Sequence, residues 1–158
     1  HLGEKLHWRK FALWEEATRV PLIYAKPRQE PARVTQPVSL IDIFPTVLQD
    51  ADLPIPTCDA FSLHQSESGY PRPLPVISTW GQGNHSVRTA RWRYTIYTDG
   101  GEELFDHAAD PYEWTNLAAA AEFDDTRETL KGEIARATSA SPREDHATSG
   151  VVCTDDIR

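Results

Sequence analysis

The sequence of 158 residues contains no methionine. A chain translated from its own start would open with one, so this sequence is expected to be a piece of a longer protein that opens inside a motif. It also lacks any apolar run of about 18 residues, which excludes a membrane-spanning helix. No signal peptide is visible, and in a sequence that opens mid-motif this says nothing about export. Cysteine is scarce. Cys58 and Cys153 stand far apart, make no metal-ligand spacing and force no disulfide, so the redox compartment stays open. Positive charge is scarce in the last part of the chain, where residues 94–158 hold five Lys/Arg against fifteen Asp/Glu. That balance argues against nucleic-acid binding through this end.

The cations are concentrated at the other end. Residues 1–36 carry seven Lys/Arg against four acids, within a net charge of −8 for the whole chain. A local positive field of this kind attracts anionic ligands, although solvated charges on loops account for it equally. Within it, Lys5, His7, Trp8, Arg9 and Lys10 crowd cations against a tryptophan. The length allows one ordinary domain, and 39% hydrophobic residues is enough for a core.

Taken in order, residues 1–10 read as loop. Residues 11–17 read as a short helix with Phe11, Leu13 and Trp14 on its apolar positions. Residues 19–25 are β-branched and aromatic-rich and read as a strand, expected inside a sheet whose neighbours lie elsewhere. Between Ser39 and Ala51, the residues Leu40, Ile43, Phe44, Val47, Leu48 and Ala51 recur at helical spacing and predict one apolar face. Pro45 has no backbone N–H, which predicts either a kink or two short helices with Pro45 in the first turn of the second. Residues 54–73 are loop by composition, and Leu74 to Thr79 reads as a strand. Ser86 to Thr98 alternates, with Trp92, Tyr94 and Ile96 on one face and Arg93, Thr95 and Tyr97 on the other. Asp99-Gly100-Gly101 signals a hairpin, Glu102 to Asp106 the return strand, and residues 122–137 a helix with Phe123, Leu130 and Ile134 on one side. From Thr138 the chain turns small and polar, which predicts a disordered tail.

Several of these words occur together in one known family. They are Leu2-Gly3-Glu4, Trp8-Arg9-Lys10, Arg19-Val20-Pro21-Leu22-Ile23, Asp42-x-x-Pro45-Thr46, and Glu103-Leu104-Phe105-Asp106 with Asp110-Pro111-x-Glu113-x-x-Asn116-Leu117. In this order they resemble the sulfatases of the alkaline-phosphatase-like superfamily, with the closest look to iduronate-2-sulfatase-like and polysaccharide sulfatases. The resemblance implies an α/β fold class. Residues 1–53 would be the C-terminal end of an alkaline-phosphatase-like α/β domain and 54–73 a linker loop. Residues 74–137 would form a small antiparallel sheet packed with one helix, and 138–158 a tail. It also implies a periplasmic or extracellular place.

Sulfate-ester hydrolysis needs a nucleophile, a cation to neutralise the sulfate oxygens, and a group to stabilise the leaving oxygen. In the family the nucleophile is a formylglycine made from a Cys/Ser-x-Pro-x-Arg motif, and this sequence has none. The family's calcium (Ca2+) is held by acids upstream of Leu-Gly-Glu, so its ligands are expected before residue 1 and none is assigned here. Lys10 matches the family lysine that contacts the sulfate and the bridging oxygen; the alternative is a solvated lysine. A second candidate is the loop Trp80-Gly-Gln-Gly-Asn84-His85 with Arg88. Trp80 would stack on a sugar face, while Asn84, His85 and Arg88 would bind hydroxyls or an anion; the alternative is a tight turn with Trp80 in the core. His7 reads as a loop histidine packed beside Trp8. Trp92, Tyr94 and Trp114 read as core of the small sheet, and Glu103 and Asp106 as structural caps.

The expected partners are a small-molecule or oligosaccharide sulfate ester and the N-terminal part of the sulfatase domain, with no nucleic acid and no membrane segment. The rival readings are a phosphomonoester or phosphonate hydrolase of the same superfamily and a non-catalytic binding module.

Overall fold

The computed structural model describes residues 2–8, 10–67, 72 and 75–139. His1, Arg9, Cys153 and the predicted tail beyond Ser139 lie outside the described residues.

Four strands, β1 (Val76–Thr79), β2 (His85–Arg88), β3 (Trp92–Ile96) and β4 (Glu102–Asp106), form one antiparallel meander in the order β1-β2-β3-β4. The register runs one rung across all four: Ile77 opposes Val87, Val87 opposes Tyr94, and Tyr94 opposes Leu104. These side chains face α4 (Asp124–Ser139), whose Leu130 and Ile134 are buried against them. Trp92 and Phe123 close one side with ring centroids 5.6 Å apart. Fully burying a side chain such as Leu104 or Ile134 contributes about 1.5–3 kcal/mol, so this helix-on-sheet sandwich is the structural centre. Among the described residues no helix is long and apolar enough to cross a membrane.

The expected sheet with one helix is thus present, with one change inside it. The alternating run 86–98 is not one strand. It breaks at Thr89–Arg91, where the Thr89 amide donates to the Trp92 carbonyl and the Trp92 amide to Thr89 Oγ1, each at 2.9 Å. The hairpin pairs odd positions of β2 with even positions of β3, so Val87 rather than Ser86 shares the Tyr94 face. The second hairpin falls where the glycines predict it. Gly100 takes φ 85, and Tyr97 donates to the Gly101 carbonyl at 2.9 Å.

The opposite face of the sheet is polar: Ser86, Arg93 and Thr95, all buried, with Phe105 among them. Lys5 and the stretch Leu13–Thr18 lie against it. The helix expected over 11–17 shrinks to α1 (Glu15–Thr18). Its start is set by Trp14, which is extended at φ −78 and ψ 161, and the Leu13 carbonyl before it accepts a hydrogen bond from Arg93 at 2.8 Å. Leu13 is buried, while Phe11 is exposed.

The strand expected over 19–25 does not form. A strand exists only through hydrogen bonds to a neighbour, and no described residue pairs with this segment. Val20, Leu22 and Ile23 stand in solvent, Ile23 at 90% exposure. The Ser39–Ala51 segment takes the two-helix alternative: a 3-10 turn over Leu40–Asp42 and then α2 (Ile43–Asp50), with Pro45 in its first turn and a capping box between Ser39 and Asp42. Its orientation is the reverse of the amphipathic expectation. Leu40, Ile43, Phe44 and Val47 are exposed, while Asp42 and Thr46 are fully buried. The buried pair acts as a receptor for backbone. Asp42 Oδ1 accepts the Phe61 amide at 2.9 Å, and Thr46 Oγ1 accepts the Leu63 amide at 2.8 Å, at the start of α3 (Leu63–Glu67). Unsatisfied amides are costly to bury, so these contacts decide which face of α2 turns inward.

Candidate functional site

Lys10 is exposed on the loop between the 3-10 turn at Glu4–Leu6 and α1. Its ammonium lies 5.9 Å from the Phe11 ring centroid. The loop is held at both ends. On one side the Lys5 ammonium sits 4.1 Å from the Phe105 ring centroid and 4.8 Å from that of Trp14. Burial lowers its pKa, against the pull of Glu103, Glu113 and Asp110. Lys5 and Leu6 both take left-handed φ values, 53° and 56°, a conformation that costs a non-glycine residue energy. The His7 ring lies edge-on to Trp14, with centroids 5.5 Å apart. The Trp14 indole donates to Glu103 Oε2 at 2.8 Å.

On the other side a buried charge network grips residues 13–18. Arg93 is 2% exposed. Its guanidinium donates to Glu113 Oε1 at 2.5 Å, Glu15 Oε2 at 2.5 Å, Thr18 Oγ1 at 2.9 Å and Ser86 Oγ at 3.2 Å, besides the Leu13 carbonyl. Glu113, itself at φ 59, uses its second oxygen to accept the Glu15 amide at 2.8 Å. His107 Nε2 lies 2.8 Å from Glu113 Oε1, and its Nδ1 lies 2.9 Å from Arg88 Nη2. An arginine can only donate, so Nδ1 accepts and Nε2 carries the proton to Glu113. The ring is then neutral, and two arginines balance two glutamates.

Glu15, His107 and Glu113 bring possible ligand atoms within 4.8 Å of one another. They do not fit calcium. The Arg93 guanidinium already occupies both carboxylates, and calcium takes an all-oxygen shell.

The pKa directions follow. Burial pushes the Glu113 carboxyl up, but the His107 hydrogen bond, the Arg93 charge and the Glu15 amide outweigh it and hold it below the ordinary value. For Glu15 burial is likewise outweighed by Arg88 and Arg93. A lowered folded-state pKa gives stability that is fully present above the unfolded value, about 4.3. It is lost as pH falls through the folded values. Residues 13–18 are therefore expected to stay docked at neutral pH and to release only below about pH 4.3. The Trp14 indole N–H resonance followed through an acid titration checks this; release above about pH 6 would contradict the sign.

The second candidate is a turn. Trp80 donates its amide to the Asn84 carbonyl at 3.1 Å, and the Asn84 side chain returns a bond to the Trp80 carbonyl at 3.0 Å. Asn84 Oδ1 accepts the Thr98 amide at 3.0 Å. Gly81 and Gly83 take φ 62 and 79, where other residues are strained, and a Cβ on Gly83 would meet Thr98 Oγ1 at 3.1 Å. Trp80 is 49% exposed and is not core. His85 Nδ1 lies 2.9 Å from Thr79 Oγ1 across the β1-β2 pair. Arg88 stands apart from the loop. Its guanidinium is taken by Glu15 at 3.1 Å, by the Thr89 carbonyl and by His107. Among the described residues no hydrogen bond or ion pair joins Lys10 to this loop.

Trp114, read as core, is 62% exposed. Glu103 accepts from two side chains, Tyr97 OH and the Trp14 indole, while Asp106 accepts the Ala108 amide of the following turn at 3.0 Å and two bonds from Arg91. The Glu15–Arg93–Glu113–His107 network was not legible as a unit. Its one signal was Glu113 inside the Asp110-Pro-x-Glu-x-x-Asn116 word, whose other members do turn chemistry: Asp110 accepts the Thr115 amide at 2.7 Å and Asn116 the Leu104 amide at 3.0 Å.

Residues 1–53 match the family model described as Sulfatase. A sulfatase of Formosa agariphila is 36% identical over 157 residues, covering 93% of this chain and 30% of that protein. The choline-sulfatase of Rhizobium meliloti is 33% identical over 126 residues, 74% of this chain and 25% of its own length. Human arylsulfatase K is 31% identical over 143 residues, 73% and 25%. The chain thus spans less than a third of each of these relatives. Among solved structures, a protein in complex with its substrate D-glucosamine-2-N,6-O-disulfate superposes with a TM-score of 0.53 at 21% identity, over 67% of this chain and 26% of that one. The phosphonate monoester hydrolase of Agrobacterium radiobacter gives 0.51 at 22%, over 65% and 25%. These two likenesses establish the shared fold of sheet and helix. With the family model on its first third and 93% of the chain matched to one sulfatase at 36% identity, the chain belongs to the sulfatase family.

Proposed function

We propose that this chain is part of an enzyme that hydrolyses sulfate esters, those of a sulfated saccharide, using a formylglycine nucleophile and a calcium ion held by residues outside this chain. The observation that carries the reading is the 36% identity to a sulfatase over 93% of the chain. Calcium, when bound, would neutralise sulfate oxygens. The division of labour follows the family resemblance. Residues 1–53 close a large α/β domain and residues 74–137 form its small companion. The exposed apolar side chains of residues 20–23 and α2 are suited to docking on the N-terminal part of that domain.

Lys10 contacts the sulfate and the oxygen that bridges it to the saccharide. A compact ammonium on a flexible stem follows charge as it moves to the leaving oxygen. Its exposure, with no carboxylate partner among the described residues, leaves it available for this. Trp80 offers a half-exposed indole face for a sugar ring, and His85 a ring edge for a hydroxyl. Asn84 shapes the turn with its amide, and Arg88 supports the loop-bearing strand through Glu15 and His107.

The test compares this chain with a longer protein that includes the rest of the sulfatase domain. The chain alone, assayed with an aryl sulfate and calcium, is expected to give no turnover above buffer, and the longer protein to release sulfate. Turnover by the chain alone that survives repurification would contradict a nucleophile outside it. Hydrolysis of a phosphonate ester but not of a sulfate ester by the longer protein would replace the reading with that of a phosphonate hydrolase.

A further inference from the structure

The loop that carries Lys10 is an arch with both feet on the polar face of the sheet. One foot is Lys5, over Phe105 of β4. The other is the stretch Leu13–Thr18, gripped by Arg93 of β3 and by Glu113. The second foot stands only three residues from Lys10. The span is tightened by a turn in which the Ala12 amide donates to the Lys10 carbonyl at 2.9 Å.

We propose that Arg93, Glu113 and His107 are positioning residues for Lys10: from the polar face of the sheet they fix the segment that sets where its ammonium lies. The inference rests on the reading of Lys10 as the sulfate contact. None of the three needs to meet substrate. Arg93 is 2% exposed and spends its donors on Leu13, Glu15, Thr18, Ser86 and Glu113. Each contact has a distinct job. The Leu13 carbonyl fixes the backbone just past Lys10. The Glu15 carboxylate and the Thr18 hydroxyl fix the first and last residues of α1. Glu113 joins the two sides, since one of its oxygens takes Arg93 and His107 and the other takes the Glu15 amide. His107 passes the orientation on from Arg88, accepting at Nδ1 and donating at Nε2. A displacement of about 1 Å at a group that must meet a developing charge can cost roughly 10²-fold in rate, so loosening this foot should be felt at Lys10.

The experiment uses the longer protein, with sulfate release from an aryl sulfate as the assay. Arg93→Lys keeps the buried positive charge but cannot fork to all of its partners. It is expected to lower kcat about tenfold or more with KM changed less than about twofold. His107→Leu is expected to act in the same direction. His107→Gln, whose amide can still donate to Glu113, should recover most of the rate. Thr18→Val removes a single contact and should give a smaller fall with the same split between kcat and KM; it serves if Arg93→Lys does not fold. In parallel, amide exchange in this chain should quicken over Leu13–Thr18 in Arg93→Lys and not over β3. A structural role alone would lower the folded fraction without changing kcat per folded molecule. Unchanged kcat in Arg93→Lys and His107→Leu, or an effect on KM alone, overturns the proposal. If Lys10→Ala cuts kcat while these variants do not, the positioning role fails and the reading of Lys10 survives. If Lys10→Ala does not cut kcat, that reading fails and the positioning role with it.

Discussion

Lys10→Ala, in the protein that carries the whole sulfatase domain, is expected to cut kcat by about 10²–10³, the usual cost of one preorganised donor. The bridging oxygen gains negative charge as the S–O bond breaks, so a contact to it strengthens in the transition state. Such a contact shows in kcat rather than in KM alone. The fold should be untouched, because Lys10 is exposed and its ammonium meets, among the described residues, a ring face at 5.9 Å. Lys10→Arg should rescue little, since the planar guanidinium is larger and places its donors differently. Lys5→Ala is the control. Lys5 lies over Phe105 and Trp14, so its loss should fall on the stability of the loop and cost far less in kcat than the loss of Lys10. Steady-state kinetics of the three variants, with melting temperatures alongside, decides the matter. A near-normal kcat in Lys10→Ala, or a larger loss in Lys5→Ala, would make Lys10 an ordinary surface lysine.

The second large effect is on stability. Arg93→Met fills much of the same volume but leaves the Glu15 and Glu113 carboxylates facing each other without their shared cation. Removing one partner of a buried ion pair typically costs about 3–5 kcal/mol. Here one arginine serves two buried acids, and the Leu13 carbonyl loses its donor as well. The loss should not be uniform. The Val87–Tyr94–Leu104 face against α4 does not touch Arg93 and should keep its exchange protection, while Leu13–Thr18 should lose it. Denaturant melts with residue-resolved hydrogen exchange would read both. A melt within about 1 kcal/mol of the parent would show the network to be dispensable. The variant Glu113→Gln/Arg93→Met removes one charge of each sign, leaves Glu15 paired with Arg88, and should recover part of the loss, because uncompensated burial is what makes the single change so damaging.

Much of the small sheet could be read from the chain. The alternation of Trp92, Tyr94 and Ile96, the glycines after Asp99 and the spacing of Phe123, Leu130 and Ile134 are local patterns. The hairpin and the sandwich follow them. Pro45 likewise fell in the first turn of a second helix, because a residue without an N–H costs least there. Lys10 stood out as a candidate by its place in a family word, a signal carried by order along the chain.

What the chain did not reveal are the features that depend on distant partners. Residues 19–25 have strand-like side chains, yet a strand is made by its neighbour's hydrogen bonds and none is supplied by a described residue. The apolar face of α2 points outward because Asp42 and Thr46 must face inward to receive the amides of Phe61 and Leu63, 19 and 17 residues away. Arg93 read only as the polar side of an alternating strand. Its role comes from Glu15, 78 residues earlier, and Glu113, 20 residues later. Periodicity and turn chemistry are set by residues a few positions apart, so the amino-acid sequence alone determined the β3-β4 hairpin and the final helix, but not the break that parts β2 from β3. A buried charge must find its opposite wherever the fold brings one. Only the tertiary structure could therefore decide that the polar face of this sheet holds the segment of Lys10.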